Sequence, residues 1–266
     1  PLSAFFIEQQ LHDADGWRVC TFDTVESTNQ LAKELALKGE AGPVALVAAA
    51  QTAGRGRRGR VFHSPKNGLY LSMLVRPAAL AAADGGLATT AAAVAVCGAL
   101  ADLCGVDAGI KWVNDVFFRE RKVCGILTEA GTNVETGDLD WMVVGIGLNL
   151  TAPVGGWPAE IADIAGEIFP DGILKVSSNE LAAEIISRFA ALLPNLAQKS
   201  FMAEYRRRSI LRGREILVLP TGREPYPARV LDIDDEGKLL VELPNGNRTA
   251  LLTGEVSIRL SDKTTF

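Results

Sequence analysis

Residues 86–103 carry one charged side chain, Asp102, and are otherwise alanine, leucine, valine, threonine and other small residues. Alanine has the highest intrinsic helix propensity, so the stretch is expected to be helical. A helix without a polar face must be buried on most sides. Other layers of structure therefore have to surround it. Its most apolar part, 91–103, contains Gly98 and Asp102 and is read as too short to span a bilayer, which favours a core helix.

The rest of the chain supplies those layers. Residues 17–22, 44–50 and 69–75 are apolar runs of strand length, and 110–113, 116–119, 123–128 and 141–146 repeat the pattern. Helical spacing separates them. Ser27 and Thr28 offer hydroxyls at a helix start, Leu31, Leu35 and Ala36 follow, and Gly39 gives a stop. Ser177-Ser178-Asn179-Glu180 is a capping box, opening a helix with Leu181, Ile185, Phe189 and Leu192 on one face until Pro194. Strands mixed with helices indicate an α+β chain with a mixed sheet.

The pattern changes after Arg208. Short strands at 215–219, 228–233, 239–243 and 248–252 are punctuated by turns at Asp235-Glu236-Gly237 and Pro244-Asn245-Gly246. Such dense short strands suggest a small β-barrel, dividing the chain into 1–209 and 210–266.

The net charge of −5 argues against a general nucleic-acid binder, so any anion site must be a local concentration of positive charge. Cys20, Cys97, Cys104 and Cys124 form no C-x-x-C pair, and with only His12 and His63 beside them a zinc site is disfavoured. Scattered thiols suit a reducing compartment. The first ten residues do not read as a signal peptide, so a cytoplasmic location without a membrane partner is the default expectation.

Gly54-Arg55-Gly56-Arg57-Arg58-Gly59-Arg60 is the sharpest feature, with four permanent charges in six residues between two apolar strands. Three glycines let the backbone approach a ligand. Guanidinium forks match phosphate oxygens, and each charge-assisted hydrogen bond contributes about 1.5–3 kcal/mol. The segment is too polar and flexible to be an element of its own, and it is not a P-loop, since no Gly-Lys-Ser/Thr closes it. A lone Arg-Gly stretch would read as a solvated or RNA-contacting loop; its place inside a domain favours a ligand loop.

Other candidates are weaker singly. Ser27, Thr28 and Asn29 read as a helix cap or as hydroxyls and amides presented to a ligand. Gln51 directly precedes the arginine loop. Lys111-Trp112-Val113-Asn114-Asp115 reads as strand then turn, with a carboxylate able to orient Mg²⁺ or accept a proton. Lys122 could neutralise a carboxylate or phosphate. Gly145-Ile146-Gly147-Leu148-Asn149 lacks the third glycine of a dinucleotide motif and reads as a strand end with close packing. His63 has no Ser or Cys partner, so no hydrolase is built on it.

Taken in order, Ser27-Thr28-Asn29, Gln51, the loop at 54–60, the segments 111–115 and 122–127, and Gly145 to Asn149 resemble the biotin protein ligase family. Gly254-Glu255-Val256-Ser257-Ile258-Arg259 resembles its C-terminal barrel strand. Two departures stand out. Val113 replaces the usual proline and is expected to soften the turn before Asn114, and Phe62 replaces the tryptophan that commonly follows the loop. About 21 residues precede the first shared strand, too few for a helix-turn-helix domain, so the resemblance is to the ligase-only branch and no DNA partner is expected.

The resemblance implies a mixed-sheet catalytic domain related to class II aminoacyl-tRNA synthetases, and a C-terminal SH3-like barrel. It implies biotin and ATP as substrates, with Mg²⁺, a biotinyl-5′-AMP intermediate, and a biotin carboxyl carrier protein or carboxylase domain as acceptor. Ser27, Thr28, Asn29, Gln51, Gly54, Arg55, Gly56, Arg57, Lys122 and Gly125 would hold biotin or its adenylate. Arg58, Arg60, Lys111, Asn114 and Asn149 would hold the nucleotide and its phosphates. Lys122, Arg57 and Asp115 would be catalytic, Asp115 as base for the acceptor lysine. Metal ligands stay unassigned, and homodimerisation stays open. The rivals are a lipoate protein ligase, disfavoured by the full arginine loop, and a nucleic-acid-binding regulator, disfavoured by the acidic charge.

Four like charges repel and glycine loses the most entropy on ordering, so the loop is expected to be loose alone and closed around an anion. Limited proteolysis between Gly54 and Arg60 should slow on adding biotin and ATP. Unchanged cleavage would contradict the ordering.

Overall fold

The computed structural model describes residues 1–77, 80–252 and 256–260. Seven strands, β1 (Arg18–Phe22), β2 (Val44–Ala48), β3 (Gly68–Val75), β4 (Gly109–Lys111), β5 (Asp115–Phe118), β6 (Arg121–Thr132) and β7 (Leu139–Asn149), form one sheet in the order β1-β2-β3-β7-β6-β5-β4. Only the β1–β2 pair is parallel. The helices are α1 (Ala4–Gln10), α2 (Thr28–Leu37), α3 (Leu87–Cys104), α4 (Ser178–Leu192) and α5 (Met202–Arg207).

Period-two alternation assigns the two faces of the sheet. Ala45, Val47, Leu71, Met73, Val144 and Ile146 join the main core with α3, α4 and Ile7 of α1. Val44, Leu46, Leu74, Trp141 and Val143 point the other way and pack on Ala32 and Ala36 of α2. The functional cleft lies on this second face.

The charge-poor helix is the centre of the fold. Twelve residues of α3 are buried, and it packs on α4, α5, β6 and β7. Gly98 lets Arg188 of α4 lie across it, since an added Cβ would sit 2.5 Å from the guanidinium. One expectation needs correction. With the preceding 3₁₀ turn (Ala82–Gly86), the helical stretch from Asp84 to Cys104 is 21 residues long, enough by length and apolarity to cross a membrane. Its burial among helices and sheet, not a shortage of length, marks it as the core helix.

A second, antiparallel sheet comprises β8 (Glu215–Pro220), β9 (Tyr226–Ile233), β10 (Leu239–Glu242), β11 (Arg248–Leu251) and β12 (Val256–Leu260), in the order β11-β10-β9-β8-β12. This is the SH3-like C-terminal unit. The expected strand at Gly254 to Arg259 falls in β12 from Val256 onward; Gly254 and Glu255 lie outside the described residues. Ile216, Val218, Ala228 and Val230 join the same core as α3. The β9–β10 turn grips the larger unit. Asp235 pairs with Arg206 at 2.7 Å, Glu236 with Lys199 at 3.2 Å, and the Gly237 carbonyl accepts from Trp112 Nε1 at 2.8 Å.

The arginine segment, read as too flexible to be an element, is a small hairpin. Arg55 pairs with Val61, the Gly56 N–H donates to the Arg60 carbonyl at 2.7 Å, and the Phe62 N–H donates to the Gly54 carbonyl at 2.9 Å. A 3₁₀ turn (Arg57–Gly59) reverses the chain, with Arg58 at φ 57° and Gly59 at φ 72°. Charge repulsion is offset here by backbone pairing that composition does not reveal. Helices α1 and α5 were also not foreseen, being seven and six residues long with little periodicity.

Candidate active site

The cleft begins where the sheet loses its side chains. Paired residues on neighbouring strands share a face. Register therefore places Tyr70, Gly147, Gly125 and Asp115 in one row across β3, β7, β6 and β5, and Ser72, Gly145 and Leu127 in the next. The glycines leave a trough floored by backbone. Its walls are already close: a Cβ on Gly145 would fall 1.9 Å from Asn29 Oδ1, and one on Gly147 would fall 2.4 Å from the Phe62 ring.

A buried polar network closes one end of the trough. Ser27 caps α2, its Oγ accepting from the Gln30 N–H at 3.4 Å. The Thr28 N–H donates to Gln51 Oε1 at 2.8 Å, Gln51 Nε2 donates to Ser64 Oγ at 3.0 Å, and Ser64 donates to the Phe62 carbonyl. Asn29 Nδ2 donates to the Leu127 carbonyl and to Glu129 Oε2, both at 3.2 Å. Gly54 stands outside the cleft; a Cβ there would fall 2.3 Å from Ser64 Oγ, so it shapes the loop.

The other end is cationic. Arg57 donates to Asn114 Oδ1 at 2.9 Å, which ties the arginine hairpin to the β4–β5 turn. That turn is held firmly. Asn114 Nδ2 donates to the Ile126 carbonyl, Ile126 N–H donates back to the Asn114 carbonyl, and Tyr205 Oη donates to the Val113 carbonyl at 2.9 Å. With valine at position 113 the turn is held by contacts from β6, α5 and the β9–β10 turn. Lys122 Nζ lies 2.6 Å from Asp115 Oδ1, an ion pair outside hydrogen-bond direction. Burial first, and repulsion from Arg58 second, lower the Arg57 pKa from its ordinary value. An incoming anion would oppose both effects.

These ends meet in one cleft of about 400 Å³. Ser27, Thr28, Asn29, Gln51, Arg55, Gly56, Arg57, Arg58, Arg60, Lys111, Asn114, Asp115, Lys122, Gly125 and Asn149 all line it, and of the sequence candidates only Gly54 does not. Six Arg and Lys side chains face one carboxylate, Asp115. Asn149 Nδ2 donates to the Gly166 carbonyl at 2.9 Å, while its buried Oδ1 has no protein partner. No group of three or more metal-ligating side chains occurs among the described residues. A positive cleft with an apolar flank and a polar end suits a phosphate-bearing molecule beside a smaller polar one.

Residues 21–149 match the biotin/lipoate A/B protein ligase family, and residues 213–259 match the biotin protein ligase C terminal domain. The biotin–(acetyl-CoA-carboxylase) ligase of Mycobacterium tuberculosis is 30% identical over 264 residues, covering 95% of this chain and 94% of that one. The chain belongs to the biotin protein ligase family. The bifunctional ligase/repressor BirA of Bacillus subtilis is 30% identical over 87% of this chain and 71% of its own. The Aquifex aeolicus biotin protein ligase, solved in complex with biotin and ATP, has a TM-score of 0.75 at 27% identity, covering 91% of this chain and 99% of that one.

Sequence reasoning missed part of this ligase-family cleft. Phe62, His63, Trp157, Ile161, Ile164, Ala165 and Leu219 line it too. Trp157 Nε1 donates to Glu167 Oε2 at 2.9 Å, and its ring stands edge-on to His63. The stretch after β7 has no regular period to mark these positions, and Leu219 comes from the second sheet. All four cysteines are free, and burial pushes the Cys97 thiol up to about 12, so it contributes no ready nucleophile.

The crowded glycine row gives a stability prediction. Gly145→Ala should destabilise the fold by about 1–3 kcal/mol in urea unfolding, because Asn29 must give way. Gly86→Ala, with nothing near the added Cβ, should not. Equal behaviour of the two variants would contradict the packing account.

Proposed function

We infer that this chain is an ATP-dependent biotin protein ligase that forms biotinyl-5′-AMP and transfers biotin to a lysine of a biotin carboxyl carrier protein or domain. The observation that carries this is the single trough with a buried hydrogen-bonding end and a six-cation end. Residues 1–209 are taken as the catalytic unit and 210–266 as the second domain, supported by the start of β8 at Glu215. The four free thiols support a cytoplasmic setting.

Biotin lies with its polar ring against Thr28 and Gln51 and its carboxylate toward Lys122. ATP lies with its phosphates among Arg55, Arg57, Arg58, Arg60 and Lys111. The wall of Trp157, Ile161, Ile164 and Ala165 suits the base, and Asn149 Oδ1 can accept from its amino group. Mg²⁺ enters as part of the Mg-ATP substrate, since the cleft's single carboxylate is already paired with Lys122.

A carboxylate oxygen of biotin attacks the α-phosphorus; the new O–P bond forms as the bond to the β-phosphate oxygen breaks, releasing pyrophosphate. Two anions must approach, so the barrier is largely electrostatic. Cations fixed in a water-poor cleft before the reaction lower it most. Lys122 serves carboxylate and α-phosphate together, and Arg57 holds the phosphate side. In transfer, the acceptor amine attacks the acyl carbon, AMP leaves, and the surplus proton passes to Asp115 once Lys122 has turned to the adenylate. That amine has an ordinary pKa near ~10.4 and is mostly protonated at neutral pH, so it needs a base.

A lipoate ligase fits less well. A dithiolane ring has no N–H or carbonyl to offer the polar end at Thr28 and Gln51. A nucleic-acid regulator fits less well because the arginines line a cleft and Arg57 is pinned to Asn114.

The chain incubated with biotin, Mg-ATP and a carrier domain should add the mass of one biotin to the carrier. Lys122→Ala should slow biotin-dependent pyrophosphate release by at least roughly tenfold, the scale of one charge-assisted hydrogen bond. Pyrophosphate release at the wild-type rate would remove Lys122 from the mechanism, and no mass gain with wild-type chain would remove the function.

A further inference from the structure

Residues 150–168 leave the end of β7, pass along the cleft and turn back to the sheet, and the two legs of this loop are held very differently. The returning leg is pinned. The Lys122 N–H donates to the Ile164 carbonyl at 2.7 Å, the Gly166 N–H to the Lys122 carbonyl at 2.9 Å, and the Ile168 N–H to the Asn149 carbonyl at 3.0 Å. Asn149 Nδ2 adds its bond to the Gly166 carbonyl.

The outgoing leg has no such support. Gly155 and Gly156 take φ of 87° and 84°, and Val154 is fully exposed. Residues 152–160 make two local turns, from the Gly156 N–H to the Pro153 carbonyl and from the Ile161 N–H to the Pro158 carbonyl. Beyond these turns, their one hydrogen bond among the described residues runs from Trp157 Nε1 to Glu167 Oε2 at 2.9 Å. Trp157 lines the cleft and Glu167 does not. An indole only donates, and a carboxylate acceptor makes the bond charge-assisted. It therefore staples the loose leg to the pinned one at the ring that faces the cleft. The same ring stands edge-on to His63, just past the arginine hairpin, with centroids 6.1 Å apart.

We propose that Glu167 is a positioning residue that holds the Trp157 indole in place as a wall for the base of ATP. This rests on the reading of the cleft as an ATP site. The carboxylate stands behind the wall, away from Lys122 and from the polar end, so its effect falls on nucleotide binding alone. Without the staple, ATP must order residues 152–160 as it binds, and the two glycines make that ordering costly. A wall ordered beforehand lowers the cost of binding.

The test is biotin-dependent pyrophosphate release by the intact chain at varied ATP and biotin. Glu167→Ala should raise the KM for ATP roughly tenfold, the scale of one charge-assisted hydrogen bond, with kcat and the KM for biotin unchanged. Glu167→Gln keeps an acceptor for the indole and should recover most of that loss. In a Trp157→Phe background, which lacks the N–H, Glu167→Ala should change the KM for ATP no further. A wild-type KM for ATP in Glu167→Ala overturns the proposal. So does a rise shared equally by ATP and biotin, a Gln variant as weak as the Ala variant, or a further loss of the same size in the Trp157→Phe background. If Glu167→Ala does not fold, an unchanged KM for ATP in Trp157→Phe overturns it alone. No pyrophosphate release by the wild-type chain would instead sink the functional reading; calorimetric titration with ATP then decides the staple, and equal affinity of wild type and Glu167→Ala overturns it.

Discussion

The hydrogen bond from Arg57 to Asn114 joins the two halves of the site. One partner sits on a hairpin of repelling charges, the other on a turn between short strands. Neither element has much stability of its own. The turn is made rigid from behind, by Tyr205 on Val113 and by the Gly237 carbonyl on Trp112. Contacts run on from there to Asn114, to Arg57 and to the hairpin. The small C-terminal sheet is thereby coupled to the cationic end of the cleft.

The sheet contributes by omission. Gly125 and Gly147 pair in register, Gly145 lies in the next row, and together they expose backbone where side chains would fill the trough. The vacated space is shaped rather than open, with Phe62 and Asn29 standing against it. Phe62 keeps an aromatic ring where the family commonly has tryptophan, and its edge-on contact with Tyr70 holds it over the glycines. The polar groups at the trough's end are oriented by hydrogen bonds to one another, and preorganisation of this kind lowers the cost of binding a ligand.

Much of this was legible in the sequence, for reasons that differ by element. The core helix was visible because a stretch with one charge has nowhere to go but inside. Its bounds, read as 86–103, match Leu87–Cys104; the apolar stretch was judged too short because the 3₁₀ turn that extends it carries no helical signal. The arginine loop was visible by composition, but its hairpin was not, because the pairing of Arg55 with Val61 leaves no period in so short a segment. The polar network was half visible. Thr28 and Gln51 lie in recognisable motifs, whereas Ser72 looks like any small residue in a strand. The clamps on the β4–β5 turn were invisible, as Trp112 and Gly237 are 125 residues apart and Tyr205 and Val113 are 92 apart. The wall at Trp157 was missed because the chain after β7 has no repeating pattern to place it.

The junction between hairpin and turn can be removed without touching a charge. In Asn114→Ala all six cations remain, but the hydrogen bond between Arg57 and the β4–β5 turn is lost. Single-turnover formation of the biotinyl adenylate, followed with radiolabelled ATP, measures the consequence directly. A rate reduced by at least roughly tenfold, consistent with loss of one charge-assisted hydrogen bond, is the result this account predicts. A rate equal to that of the wild-type chain would show that the cations act wherever they lie, and would contradict it.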